Sequence, residues 1–544
     1  MGRGKGAFIL QSKAHAQNFM RGAFLITLAQ LVTKILGAFH RPGAQLLMDD
    51  AGLRMATPPS QAYFIMLALS SVGINVAISR LLSERLALED YRGARRVFRV
   101  AAGMLLVTGV VFSTLFAMGS KRMAAFFLEP ETWPGFLVLA PALFFVSVLC
   151  AFRGLYQGIQ QMQASAVSQV VEQVARVVLS LVIIALLTPV PLKAAAFNGG
   201  STIGTFAAAL YLVWKYLKDR PTAGWTTVAP GVESYEHEST TSVMGKILAI
   251  AAPLALIGAI LPIMGMVDSR VVPSQLMALG VGAQLANEAG KAWLANAGTL
   301  RDLPTILTTA LYISLVPAIA ESYATGQLEQ ARYRTATAFR ITFLIGFPAT
   351  AGLFAAAQDL YGVLYKGPGW VVMAPLALST IVMMMQQTAS GALQGIGRIW
   401  LSVRNLTIGV VVKTVLTYWW AGIPALQAQG AAHAWTAGFL VAAGLQLLAL
   451  KQHLGFRIDW KGDALRPALA SVLMGVALWL LAPLARWLVP VPRVPGLLLA
   501  VVGGLIYGVA ILLMGGITVA DIGLVPGLPA GSVAFLRRYR LLRD

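Results

Sequence analysis

Apolar residues in this chain do not alternate with polar ones. They gather into blocks of about 20 residues, each long enough to cross about 30 Å of hydrocarbon as a helix. Fourteen blocks stand out, at roughly 19–40, 60–80, 99–118, 134–152, 166–188, 194–214, 247–268, 303–320, 338–357, 371–391, 402–421, 429–450, 467–488 and 496–516. A membrane β-barrel would show alternating segments of about ten residues instead. The pattern predicts an all-α polytopic membrane protein of about 14 transmembrane helices. No cleavable leader is expected, because the first block is full-length and lacks a small-residue exit.

Composition agrees, with 57% of the 544 residues hydrophobic and only 12% charged, where soluble domains keep about a quarter charged. The net charge of +20 reads as topology. With the N-terminus inside, 28 of the 42 Lys and Arg fall on the inner segments, 11 on the outer ones and three within spans. Cationic loops resist translocation, so both termini are expected to be cytoplasmic. "ARRVFR" (94–99) and "FLRRYRLLRD" (535–544) then read as contacts with anionic membrane lipids rather than with nucleic acid. The single cysteine, Cys150, excludes an intrachain disulfide and a Cys cluster for metal. Neither an HExxH, a triad signature nor a Walker A sequence is present. The chain is therefore not expected to be an enzyme or to hold a metal or cofactor.

The longest polar interval on the inner side, "KDRPTAGWTTVAPGVESYEHESTTSVMGK" (218–246), follows six blocks and reads as a linker. It divides an N-terminal half, 1–217, from a second half, 247–451, with 452–544 as two added helices and a basic tail. The halves echo each other. "VAIS" (76–79) and "PAIA" (317–320) each precede a "FR" pair, and both Ala77 to Arg99 and Ala318 to Arg340 span 22 residues. "LYQGI" (155–159) matches "ALQGI" (392–396), and a cation follows each Gln by 19 residues: Arg176 after Gln157 and Lys413 after Gln394. Two six-helix copies entering from one side give a parallel repeat, expected to enclose a central cavity between the halves.

Charges inside the bilayer need a reason, since each costs about 2.5–3.5 kcal/mol even on the mildest scale. Lys34 and Arg41 share one helical face, roughly 10 Å apart along the axis. They either snorkel to the outer headgroups or face a wet interior. In "SQVVEQVAR" (168–176) the residues Gln169, Glu172, Gln173 and Arg176 form one stripe. Glu172 and Arg176 either satisfy each other at i,i+4 or line a cavity. Lys413 has no carboxylate within a turn and must face a cavity or a partner on another helix. Asp268 and Arg270, in "MVDSR", are expected near the outer end of the seventh span. The set Lys34, Arg41, Arg176, Arg270 and Lys413 exceeds Glu172 and Asp268, so the interior is net basic. It predicts an anionic cargo, and phosphate suits Arg forks and Lys point charges. Gln157, Gln169, Glu172, Gln173, Asp268 and Gln394 are expected in supporting or ion-coupling roles.

The succession "KILGAFHR" (34–41), "GINVAISRLLSE" (73–84), "GARRVFRV" (93–100), "FRGLYQGIQQMQASAVSQVVEQVARV" (152–177), "LTTALYISLVPAIAES" (307–322) and "GALQGIGR" (391–398) resembles the stage V sporulation protein B/MurJ-like group of polysaccharide-biosynthesis flippases. That group belongs to the superfamily that also holds the multidrug and toxin extruders. The resemblance implies a flippase in the bacterial cytoplasmic membrane. It would move an undecaprenyl-diphosphate-linked, lipid II-like precursor to the outer leaflet by alternating access. Coupling would be to membrane potential, H+ or Na+, with cell-wall synthesis proteins as partners. It also implies that the first helix supplies cavity cations at Lys34 and His40–Arg41. Two stretches depart from the family's pattern: "RPGAQLLMDDAGLRMATPPSQAYFIM" (41–66), and the interval 271–302, expected as a loop. Two other classes stay open, a cation-coupled multidrug exporter of the same superfamily and a non-transporting scaffold for envelope synthesis.

Overall fold

The computed structural model describes residues 3–222, 225, 227–228, 234–488, 491 and 493–516. In the first helix the side chains are described from Ala29 onward, with several exceptions including Lys34. The basic tail at 535–544 lies outside the described residues. Among the described residues the secondary structure is helical, without strands. Seven helices come first: α1 Arg3–Leu67, α2 Gly73–Ala87, α3 Tyr91–Phe126, α4 Trp133–Gly158, α5 Met162–Leu186, α6 Val190–Asp219 and α7 Thr240–Ala278. Then follow α8 Ala283–Asn287, α9 Leu294–Asp302, α10 Thr305–Ala324, α11 Leu328–Ala355 and α12 Ala357–Leu364. The last six are α13 Trp370–Ala377, α14 Ser379–Gly395, α15 Ile399–Ala421, α16 Ala428–Leu454, α17 Leu465–Leu488 and α18 Val494–Leu513. Each of the fourteen expected apolar blocks falls largely on helix. By length and hydropathy, ten helices among the described residues are able to cross a membrane, or eleven if the α13–α14 pair, bent by 45°, is one span. The protein is an all-α, multi-pass membrane protein.

Three expectations need correction. The stretch 41–59 is not a loop between two spans: α1 runs through it, broken only at Asp49 (φ 54°, ψ −170°). That left-handed φ is costly for a residue with a Cβ, and it separates two helical segments. The helix of the seventh span does not stop at Asp268. Apolar patterning fades at "MVDSR", but the backbone ladder continues to Ala278 because partners on other helices satisfy Asp268 (below). The interval 271–302 is likewise helical, formed by the end of α7, by α8, by a π-turn at Glu288–Trp293 and by α9.

The chain divides into two compact units, Met1–Met266 and Val267–Asp544, with the boundary inside α7. The first unit buries Ile78, Leu82, Val97, Ala101, Leu105 and Leu155 in one core, together with Trp225, Val243 and Ile247 of the inter-half stretch and early α7. The described part of the linker is fastened at several points. The fully buried Asp90 caps α3 through the Gly93 amide at 2.8 Å, and also accepts the Ser234 hydroxyl at 2.5 Å and the Tyr235 amide at 3.1 Å. The Tyr235 ring lies 3.5 Å from the Arg85 guanidinium carbon and 3.8 Å from Lys246 Nζ. Lys246 donates to Glu238 at 2.5 Å, which holds that carboxyl below the usual carboxylate range.

The second unit packs Ile319, Phe339, Phe343, Leu393, Leu450 and Phe456 into its core, and the added α17 and α18 meet through Leu478 and Leu499. Along the middle of α3 and α17 large apolar side chains face outward, among them Val110 and Leu115, and Val472, Trp479 and Leu480. A bilayer demands such a surface, since lipid tails offer polar groups no partner.

Candidate functional site

In the first unit a polar stripe on α5 meets α1, α4 and α6. Its base is Ser165, fully buried, whose hydroxyl accepts from Gln157 Nε2 of α4 at 2.9 Å. One turn on, Ser168 accepts from Arg153 Nε of α4 at 2.9 Å, and Arg153 Nη2 pairs with Glu172 at 2.7 Å. Gln169 is half-buried on the same helix. Gln173 turns to α1, its amide nitrogen 3.1 Å from where a Cβ on Gly37 would stand. At the far end Ser180 hydrogen-bonds His40 at 2.7 Å, and the His40 ring stacks on Phe197 of α6 with centroids 4.4 Å apart. Arg41 donates to Thr57 at 2.9 Å, joining the two segments of α1 across the Asp49 break.

Arg176 lies in the middle of this stripe, and its guanidinium carbon sits 5.9 Å from the Phe64 ring centre. The i,i+4 pair with Glu172 does not form. Among the described residues no carboxylate stands within ion-pair distance of Arg176, and its buried Nε has no hydrogen-bond partner. Lys34, by contrast, has a side chain outside the described residues. On the stripe Glu172 is thus committed to Arg153 of α4, and Arg176 stands outside that pair.

The second unit treats its corresponding cation differently. Lys413 of α15 is fully buried and donates to Asp268 Oδ1, while Trp435 Nε1 of α16 donates to Asp268 Oδ2 at 2.6 Å. Arg301 of α9 lies 4.3 Å from the Trp435 ring centre and pairs with Asp302 at 2.7 Å. Lys413 is thus held as an internal ion pair. Arg270, two residues past Asp268, is half-buried on another face of α7.

The two cations occupy like positions. A Cβ on Gly204 of α6 would stand 2.5 Å from the Glu172 carbonyl oxygen and 3.0 Å from Arg176 Cβ. On Gly438 of α16 it would stand 2.7 Å from the Gly409 carbonyl oxygen and 2.6 Å from Lys413 Cβ. In each case one carbonyl lies a turn before the cation and the other contact is the cation's own Cβ. Gln394 donates to Ser390 at 3.3 Å, and Ser390 bonds Ser402 at 2.5 Å, echoing Gln157 and Ser165. Gly204→Val and Gly438→Val should each destabilise by about 1–3 kcal/mol through overpacking. Thermal unfolding of the purified variants checks this, and unchanged melting would contradict the close helix contact.

Sequence reasoning did not single out Arg153, Ser165, Ser168, Arg301, Trp435 or the fully buried Lys291. Ser165 and Ser402 carried a usable signal, since each precedes its cation by eleven residues. The pairings of Arg153 and Trp435 had none, because helix packing alone brings them to their partners.

Known proteins bear on this arrangement. Residues 19–323 match the family described as polysaccharide biosynthesis protein. Stage V sporulation protein B of Bacillus subtilis is 27% identical over 463 residues, covering 82% of this chain and 86% of that protein. Lipid II flippase MurJ of Bacillus subtilis is 24% identical over 492 residues, covering 85% and 88%. An inward-facing multidrug resistance MATE family transporter of the MOP superfamily superposes with a TM-score of 0.61 at 14% identity, over 79% of this chain and 98% of that one. The fold is that of this MATE family transporter.

Proposed function

Because the chain belongs to the polysaccharide biosynthesis protein family, we propose that it flips a lipid-linked envelope precursor, a sugar on an undecaprenyl diphosphate, from the inner to the outer leaflet. The names of its relatives, a lipid II flippase and a sporulation protein, support this reading. The observation that carries it is the charge state of the α5 stripe. Arg176 has no carboxylate within ion-pair distance among the described residues, because Glu172 is held by Arg153. A guanidinium in that position attracts a diphosphate through paired N–H donors and repels the cationic compounds that an acidic or aromatic pocket would welcome.

Arg41, and by sequence spacing Lys34 two turns before it, would extend the positive face along the first helix. The sugar would travel in water along polar side chains while the polyprenyl tail stays in lipid, and alternating access would expose the site to each leaflet in turn. No bond is made or broken in such a cycle. Membrane potential or an H+ or Na+ gradient resets it. The setting is the bacterial cytoplasmic membrane with both termini inside, where the basic inner segments meet anionic lipids and cell-wall synthesis proteins.

The test is translocation in proteoliposomes, using a fluorescent lipid II and an impermeant quencher. The expected result is that the diphosphate-linked sugar crosses while a cationic dye does not. Extrusion of the dye with no movement of the lipid would replace this reading with drug export.

A further inference from the structure

We infer that Arg153 is a positioning residue that keeps Arg176 charged and open to an anion by withholding Glu172 from it. The inference rests on the reading of Arg176 as an anion ligand. On an isolated helix Glu172 and Arg176 would pair at i,i+4, a contact worth about 0.3–0.5 kcal/mol. Here α4 supplies a better partner. Arg153 grips the stripe at two points, Glu172 Oε2 at 2.7 Å and Ser168 Oγ at 2.9 Å, and Ser168 in turn donates to the Ser165 carbonyl at 2.7 Å. The pair is largely enclosed, with side chains 15% and 26% exposed, so water weakens it little. Gly204 of α6 fixes the backbone beneath, resting against the Glu172 carbonyl and Arg176 Cβ. The Arg176 guanidinium is left near the Phe64 ring with its buried Nε unbonded.

The second unit offers the contrast within the same chain. By the spacing that aligns Gln157 with Gln394, the positions of Arg153 and Glu172 are taken by Ser390 and Gly409. Neither ionic partner is present there, and the cation Lys413 is neutralised by Asp268 instead. The two halves thus hold one open and one closed cation at corresponding places, and Arg153 makes the first of them open. Without it, Glu172 swings one helical turn to Arg176, cancels its charge and faces an incoming phosphate with a carboxylate.

Calorimetric titration of the purified full-length protein with inorganic pyrophosphate, alongside thermal unfolding, tests this. Arg153→Met should weaken pyrophosphate binding by at least about tenfold, the effect expected of a carboxylate moved against the binding charge. Arg153→Met combined with Glu172→Gln should recover binding, and Glu172→Gln alone should tighten it. Arg153→Gln, which keeps a donor for Ser168, gives the same answer if the methionine form does not fold. A purely structural Arg153 would lower the melting temperature and leave Kd unmoved, and that result in folded protein overturns the inference. Arg176→Met separates the two claims. If it abolishes binding while both Arg153 variants bind normally, only the positioning role fails; if it binds like the unmodified protein, the anion site itself fails.

Discussion

Asp268→Asn and Lys413→Met, each made alone, should destabilise the second unit by about 3–5 kcal/mol, whereas the two together should cost far less. Both side chains are buried to the point of exclusion from solvent, and both Asp268 oxygens are engaged, one by Lys413 and one by Trp435. Removing either member strands a charge where water cannot reach it, with Arg301 close by to add to the repulsion felt by a lone Lys413. Removing both leaves neutral groups in a site already packed by Gly438 and Trp435. Unfolding temperatures of the detergent-solubilised single and double variants decide it. Additive losses would mean that the pair is not coupled and that each residue stabilises the unit by another route.

The second large effect falls on transport rather than stability. Arg176→Met, Arg41→Ala and Lys34→Ala should each reduce export of the lipid-linked sugar by about tenfold or more, the loss of one charge-assisted contact of about 1.5–3 kcal/mol. Membrane insertion should be little changed. Among the described residues Arg176 has no ion pair whose loss would strand a carboxylate, and Arg41 donates to the Thr57 hydroxyl at 2.9 Å. Lys34→Arg should retain export, because the charge stays and a fork is gained. If the cations merely reached for headgroups, alanine would be harmless at 34 and 41, and export at the unmodified level would show it. Measured per inserted molecule, the comparison separates a lost site from a lost fold.

The helices were legible because hydropathy along a chain reports the bilayer directly: the blocks at 99–118, 134–152 and 402–421 fall on α3, α4 and α15. Hydropathy failed where a charged residue is compensated by a distant one. Asp268 looked like the end of a span because the partners that allow α7 to pass through it, Lys413 and Trp435, lie 145 and 167 residues away. The interval 271–302 looked like a loop for a related reason. Its polar residues Lys291, Asn296 and Arg301 are buried, which only folding can arrange. The spacing that relates Gln157 to Arg176 and Gln394 to Lys413 was legible and recurs in how Gly204 and Gly438 pack. What spacing left undecided was whether Glu172 pairs with Arg176 along its own helix. Local geometry favours that pair, and the arginine that breaks it is 19 residues earlier on α4.

The most direct test of the central claim is lipid II export in cells depleted of their own flippase and supplied with this chain. The unmodified chain should restore export and growth, and Arg176→Met, present in the membrane at the same level, should not. Full rescue by Arg176→Met would contradict the anion site, and no rescue by the unmodified chain would contradict a lipid II-like cargo.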